Sequence, residues 1–448
     1  MVDENLFKLF SRYIPEENIV DKSKYRKHDI KHGLRNEDGT GVLVGITHIA
    51  EVVGYDLVDG KRVPKDGELY YRGINVDDLI EGVEKDHRFG FEETVYLLLF
   101  NKLPNKFELE SFVDILKSYE TFPDNYMEDV IIKIPADNIM NKLQRAFLTL
   151  YSYDKNPDDI SVLNVLNQSL NLIAKAPLIM IYSYYVKRHH FDKESLILHK
   201  PCNHYSISEN ILHMLRSDNQ FTDEEARLLD ILMIVQAEHG GGNNSTFATH
   251  VVSSTGTDTY SALSTAIGSL KGPKHGGANL KVQDMLENIK ENVDKYWEKA
   301  ALEDYLVRML DKEVYDKQGL IYGIGHAVYT KSDARVRIIK QKCIELANDR
   351  ECQKDLQLIL NLEEIGGRLI QERKNLDFTP SGNIDLYSSF VMEMLKIPKE
   401  LYTPMFAISR MAGWSAHRLE QILDTKIMRP GYVTLGDKKE YTPYSKRK

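Results

Sequence analysis

His239, His275 and His326 each adjoin glycine at a break between helical patterns. At the mouth of a helix the free backbone N–H groups and the helix dipole both face a ligand, so small-molecule chemistry is easily placed there. His275 lies in Gly272-Pro-Lys-His275-Gly-Gly-Ala-Asn279, directly before an amphipathic run from Leu280. A helix N-terminus disfavours imidazolium, so a neutral His275 could donate an N–H to a developing enolate oxygen. Such a donor is worth about 2.7–4 kcal/mol in a transition state. Taken alone, the same histidine reads more readily as a mere helix cap.

His239 lies in Gln236-Ala-Glu-His239-Gly-Gly-Gly-Asn243-Asn-Ser-Thr246. His-Gly-Gly-Gly also occurs in serine-hydrolase oxyanion loops, but those need a Gly-x-Ser-x-Gly elbow. Gly413-Trp-Ser415-Ala-His417 lacks the second glycine, which disfavours a serine hydrolase. The segment Gly323-Ile324-Gly325-His326-Ala-Val-Tyr329-Thr-Lys331-Ser-Asp333-Ala-Arg335 is no dinucleotide fingerprint, since the third glycine and a preceding strand are missing. It supplies a histidine after a permissive turn, then a lysine and an arginine that could also form a solvated helix start. In Asn383-Ile-Asp385-Leu, apolar neighbours would raise the Asp385 pKa and sharpen it as a base, unless it merely caps a helix starting near Leu386. Arg410 stands inside an apolar helical stretch and needs a partner. A substrate carboxylate fits its fork bidentately; a buried Arg–carboxylate pair is the alternative.

The elements that must hold these groups are mostly helices. Helix-face spacing marks Phe91–Lys102, a stretch from Val162 past a possible kink at Pro177, Tyr260–Leu270, Ala300–Leu310, Val336–Ala347, Leu356–Leu369 and Ser388–Leu395. Thr222-Asp-Glu-Glu225 reads as a capping box. Strand signals cluster early, at Gly41–His48, Val52–Val58 and Leu69–Tyr71. The expectation is a mainly α protein with a small β element near the N-terminus, and residues 1–39 read as no more than helix.

A length of 448 residues allows one large domain plus a smaller one. A net charge of -9 argues against duplex nucleic acid as a partner, yet local arginines can still build an anion pocket. Cys202, Cys343 and Cys352 form no Cys-x-x-Cys pair, so neither a disulfide framework nor a zinc ribbon is indicated. The acidic start, and an apolar stretch at Ala176–Val186 too short for a bilayer, predict a cytoplasmic protein that engages no membrane. The basic end Ser445-Lys-Arg-Lys448 reads as a solvated tail.

Together, and in this order, the segments resemble the citrate synthase family. The likeness rests on Gly-Pro-x-His-Gly-x-Ala-Asn at 272–279, Gly-x-Gly-His-x-Val at 323–328 and Asn-x-Asp at 383–385. It extends to Gly67-Glu-Leu-Tyr-Tyr-Arg-Gly73, the run from Phe91 to Leu99, and Arg410 to His417, covering the chain from about residue 40. The resemblance implies a citrate-synthase-like two-domain multi-helical fold and a homodimer with a shared active site. Its large domain would comprise residues 1–279 and 393–448, and its small domain 280–392. His275, His326 and Asp385 would be the catalytic three. His239, Arg335, Arg410 and Arg429 would bind oxaloacetate, Arg429 reaching in from the other subunit. Gly323, Ile324, Gly325 and Lys331 would contact CoA.

The implied reaction condenses acetyl-CoA with oxaloacetate to citrate and CoA, with no cofactor and no metal. A 2-methylcitrate synthase using propionyl-CoA is the alternative within this chemistry, and a catalytically silent ligand sensor on the same scaffold the alternative outside it. Departures from the family pattern are the three glycines after His239, Ala334 between Asp333 and Arg335, Ala327 after His326, and a long stretch from Arg337 to Pro380.

Overall fold

The computed structural model describes residues 23–36, 39–347, 350–424, 426–435 and 438–447. Contacts divide the chain into a large unit, Ile46–Ile427, and a second unit made of the chain ends, up to Gly45 and from Met428. Described elements of the terminal unit include a short helix, Ser23–Lys27, and a bridge between Arg35 and Gly41. The first 22 residues lie outside the described ones; among the described residues of 1–39, the helical pieces are Ser23–Lys27 and a 3-10 turn at His32–Leu34.

The large unit opens with an antiparallel sheet of β1 (Ala50–Val58), β2 (Lys61–Tyr71) and β3 (Ile74–Asn75). β1 and β2 pair from Ala50↔Tyr71 to Val58↔Lys61, with a register shift between Val53 and Tyr55. The strand expected at Gly41–His48 is a correction. Among the described residues the pairing there ends at the Arg35–Gly41 bridge and the Val42 N–H to Leu34 O bond, and Leu43 and Ile46 are 95% and 92% exposed. An alternating pattern becomes a strand only where a neighbour satisfies its backbone and packs its side chains.

Helices make up the rest. They are α1 (Val76–Lys85), α2 (Phe91–Phe100), α3 (Lys106–Ser118), α4 (Ile139–Leu150), α5 (Val162–Phe191), α6 (Ile207–Leu215), α7 (Asp223–Gln236) and α8 (Asn244–Ser253). There follow α9 (Thr259–Leu270), α10 (Ala278–Asn292), α11 (Lys299–Leu310), α12 (Ala334–Leu346), α13 (Arg350–Lys374), α14 (Ile384–Met394) and α15 (Tyr402–Gln421). The mainly α reading holds. The Thr222–Glu225 capping box forms and opens α7. α5 runs helical through Pro177, because tertiary burial on all sides outweighs the hydrogen bond that proline removes. No helix of the described residues is long and apolar enough to cross a membrane.

Two helices organise what surrounds them. α15 packs against α2, α5, α7, α8 and α9, while α14 packs against α10, α12 and α13. On α15, Gly413 lets the α7–α8 turn come close: its N–H donates to Ala237 O at 3.1 Å, and an added Cβ would lie 2.0 Å from Glu238 Oε2. Arg410 and Arg418, two turns apart on that helix, are both fully buried. Their surroundings differ. Arg418 donates to Thr259 Oγ1, Ser253 Oγ and Thr257 O, so its guanidinium is consumed by structure.

Candidate active site

His239 follows the end of α7, in a turn pinned from several directions. The Tyr71 hydroxyl lies 3.0 Å from Ile234 O and from Glu238 O. Gly240 takes φ +83°, a value glycine adopts without steric cost, and its N–H donates to Glu238 Oε1 at 2.6 Å. Glu238 is itself held by His417 Nε2 at 2.9 Å, and His417 Nδ1 meets His250 Nε2 at 2.9 Å. His239 is buried with Nε2 unpartnered. Its pKa is pushed well below the usual imidazole value by burial and by the charges of Arg335, His326, Arg410 and His275.

His275 occupies the turn between α9 and α10, two residues before the Gly277 cap. The Ser245 N–H points at His275 Nε2 from 3.4 Å, and Ser245 Oγ lies 3.0 Å from the same nitrogen. A proton on Nε2 would face that amide hydrogen head on, so the ring carries its proton on Nδ1. Burial, then Arg410, lowers the His275 pKa to about 4. The neutral donor expected from sequence is present, but burial, rather than the helix end, is the main cause.

His326 has the opposite tautomer. Val328 N–H and Tyr329 N–H both donate to its Nδ1, at 3.0 and 3.1 Å, which leaves the proton on Nε2. The ring sits 5.1 Å, centroid to centroid, from His239 and 4.9 Å from Tyr329. Gly323 and Gly325 adopt φ +82° and +86°. Between them the backbone forms a bridge, Ile324↔Gly382. Gly325 N donates to Ser381 O at 2.8 Å and Asn383 N to Gly323 O at 2.8 Å. That bridge ties the His326 segment to the start of α14, and so to Asp385.

Asp385 lies in the first turn of α14, but it is not the cap expected as the bland alternative. Asn383 fills that role, its side chain accepting from Asp385 N at 3.0 Å and donating to Gly325 O at 2.9 Å. Burial raises the Asp385 carboxyl to about 6, against the opposing pull of Arg335 and Arg410. The long stretch after Arg337 supplies α13, whose Glu363 accepts from Gly382 N at 3.0 Å and from the Tyr387 hydroxyl at 2.5 Å. α13 thus buttresses the turn that presents the carboxylate.

Arg335 is buried rather than solvated, and Asp333 holds it twice, Nε–Oδ1 at 2.9 Å and Nη2–Oδ2 at 2.7 Å. Asp333 also caps α12, so Ala334, a departure noted from the sequence, leaves this geometry intact. Arg410 donates only through Nε, to Gln236 O at 2.7 Å. Both Nη atoms are buried and unpartnered. Burial lowers its pKa to about 10 despite nearby Glu238, so it remains charged at neutral pH. Among the described residues Arg410 forms no ion pair with a carboxylate: Glu238 is engaged by His417 and Gly240 instead. A buried, charged fork with both Nη atoms unpartnered is a receptor for an anionic ligand.

Six of the residues singled out from sequence therefore share the large unit and one electrostatic neighbourhood: His239, His275, His326, Arg335, Asp385 and Arg410. Arg429 lies in the terminal unit and is exposed. Gly323, Ile324 and Gly325 shape the His326 turn, whereas Lys331 is exposed. Ser245, Glu238 and Glu363 were not singled out by sequence reasoning, and Asn383 entered it only as part of the Asn-x-Asp motif, with no role of its own. Each acts on a neighbour through a tertiary contact, and the adjacency of Glu238 to His239 and the place of Asn383 in the Asn-x-Asp motif were the signals the sequence offered.

Two oppositely protonated neutral histidines, a carboxyl titrating near neutrality and an unfilled guanidinium define a site for acid–base work on an anionic carbonyl compound. The family "Citrate synthase, C-terminal domain" matches residues 38–431. A citrate synthase of Haloferax volcanii is 31% identical over 94% of this chain and 99% of its own length. A 2-methylcitrate synthase of Corynebacterium glutamicum is 31% identical over 86% of this chain and 94% of its own. The crystal structure of citrate synthase from Thermotoga maritima superposes with a TM-score of 0.73 at 29% identity, covering 94% of this chain and 99% of that one. The chain belongs to the citrate synthase family, and it is an enzyme of that family's condensation reaction.

Proposed function

We propose that this enzyme condenses acetyl-CoA with oxaloacetate and hydrolyses the resulting citryl thioester to citrate and CoA. The unfilled, fully buried Arg410 fork beside three histidines carries the reading. With Arg335 it suits a dicarboxylate better than a simple acid, since charge-assisted hydrogen bonds of about 1.5–3 kcal/mol each fix orientation as well as affinity. His239 and Arg429, the latter from a second subunit of a homodimer, complete that binding set. Gly323, Ile324, Gly325 and Lys331 contact CoA, and the region 280–392 closes over the bound substrates.

Asp385 takes a proton from the thioester methyl. His275 donates its Nδ1–H to the thioester oxygen as the enolate forms. The enolate carbon attacks the ketone carbon of oxaloacetate, and the ketone oxygen accepts the proton from His326 Nε2. Water then cleaves the thioester and CoA leaves as the thiol. Because Asp385 must be ionised to act, kcat/KM for the acyl-CoA should rise with pH through an acid limb near 6. His275 stays neutral down to about 4 and adds no limb above that. A pH profile flat from 5 to 8 would contradict the assignment.

The relative from Corynebacterium glutamicum supports a second reading, propionyl-CoA as acyl donor. One methylene changes binding by only about 1–3 kcal/mol, so the two thioesters must be compared directly. Thiol release measured with each, with and without oxaloacetate, should give the higher kcat/KM for acetyl-CoA. A preference for propionyl-CoA would replace the first reading with the second, and no release with either would leave a silent sensor.

A further inference from the structure

The motif Gly67-Glu-Leu-Tyr-Tyr-Arg-Gly73 has no place in the chemistry above, yet its first residue touches the segment that carries His326 and Arg335. An added Cβ on Gly67 would lie 2.4 Å from Ser332 O and 2.9 Å from Ala334 N. On the facing strand, Gly54 sits where β1 shifts register, and its added Cβ would lie 2.5 Å from Val328 O and 2.6 Å from Tyr329 Cα. At both positions the obstacle is backbone, which cannot swing aside as a flexible side chain could. The sheet and the loop are in van der Waals contact, main chain to main chain.

Hydrogen bonds stitch the same surfaces. The Thr330 hydroxyl is buried and donates to Gly54 O, while Lys65 N donates to Thr330 Oγ1 at 3.2 Å. Gly67 N donates to Ser332 Oγ at 3.0 Å, and that hydroxyl donates to Asp66 Oδ1 at 3.0 Å. Tyr329 is clamped between: its ring packs against Gly67 and meets the rings of His239 and His326. Arg337 extends the seam by pairing with Asp77 at the start of α1. The β1–β2 hairpin is therefore the wall behind residues 328–334, whose N–H groups set the His326 tautomer and whose end presents Arg335.

We propose that the β1–β2 hairpin is a positioning element for catalysis, with Gly54, Gly67, Thr330 and Ser332 as positioning residues that hold His326 and Arg335 in their working geometry. The inference rests on the proposed function, because it assigns the consequence of losing that geometry to dicarboxylate binding and ketone polarisation. None of the four touches the reacting atoms; each acts through the loop. Thr330 is the cleanest handle, since valine keeps its shape and removes the hydroxyl that ties Gly54 to Lys65.

The test is steady-state kinetics on the full chain at 25 °C with oxaloacetate and acetyl-CoA, beside thermal melting. Thr330→Val should lower kcat/KM for oxaloacetate about tenfold, through a higher KM as well as a lower kcat. Thr330→Ser, which restores the hydroxyl, should recover most of that loss. Gly67→Ala should be more damaging, because the hairpin must lift from the loop. Wild-type kcat/KM in Thr330→Val, with or without a lower melting temperature, overturns the proposal while leaving the proposed function standing. So does an equal loss in Thr330→Ser. Should Gly67→Ala fail to fold, the two Thr330 variants decide. A wild-type enzyme inactive with oxaloacetate and either thioester would overturn the proposed function, and this inference with it.

Discussion

Asp385→Asn is expected to reduce kcat by about 10³-fold, within the range of about 10²–10⁴ for a general base, while the dissociation constant for oxaloacetate changes little. The amide keeps the size of the carboxylate and its place in the first turn of α14, and Asn383 still caps that turn. What disappears is a base whose strength burial has raised toward neutrality. Calorimetric titration with oxaloacetate and single-turnover thioester consumption separate the two effects. Turnover near the wild-type rate would remove Asp385 from its role. The same inactive variant tests the shared site: heterodimers of Asp385→Asn with Arg429→Ala should regain activity at one of their two sites. Heterodimers shown to form but inactive would speak against a shared active site.

The other large effect is expected at Arg410. Arg410→Lys should weaken oxaloacetate binding about 10²-fold, near 3 kcal/mol, by removing a bidentate contact. Lysine cannot present two parallel N–H groups, and an ammonium desolvated in this position loses its proton far more readily than a guanidinium. Arginine alone combines the Nε contact to Gln236 O with a fork left over for the ligand. Arg418→Lys gives the contrast. That side chain is consumed by Thr259, Ser253 and Thr257, so its replacement should lower the melting temperature with little change in affinity. Unchanged calorimetric affinity in Arg410→Lys would rule out a direct contact. The reverse pattern, with Arg418 controlling affinity, would mean the roles of the two arginines are exchanged.

Much of this protein was determined by local sequence. The Thr222 capping box, the helix faces of α2 and α9, and glycine beside each histidine are short-range features, because caps, periodicity and left-handed turns depend on neighbours in the chain. The identity of His275, His326, Asp385 and Arg410 as candidates was equally legible, since reactive side chains stood out in unusual settings. Each alone had a bland reading, and no local pattern could choose.

The tertiary structure made those choices. It gave the capping task to Asn383 and so left Asp385 available, and it satisfied Arg418 while leaving Arg410 open. It set opposite tautomers at His275 and His326 through Ser245 on one side and two loop amides on the other. It also withheld a strand at 41–48, where among the described residues pairing stops after Gly41 and Val42. Burial, hydrogen-bond saturation and proton position are decided by groups far apart in the chain, such as Glu238 and His417 or Gly67 and Ser332. A single sequence names the reactive groups, but only packing decides which of them are left unsatisfied for a substrate.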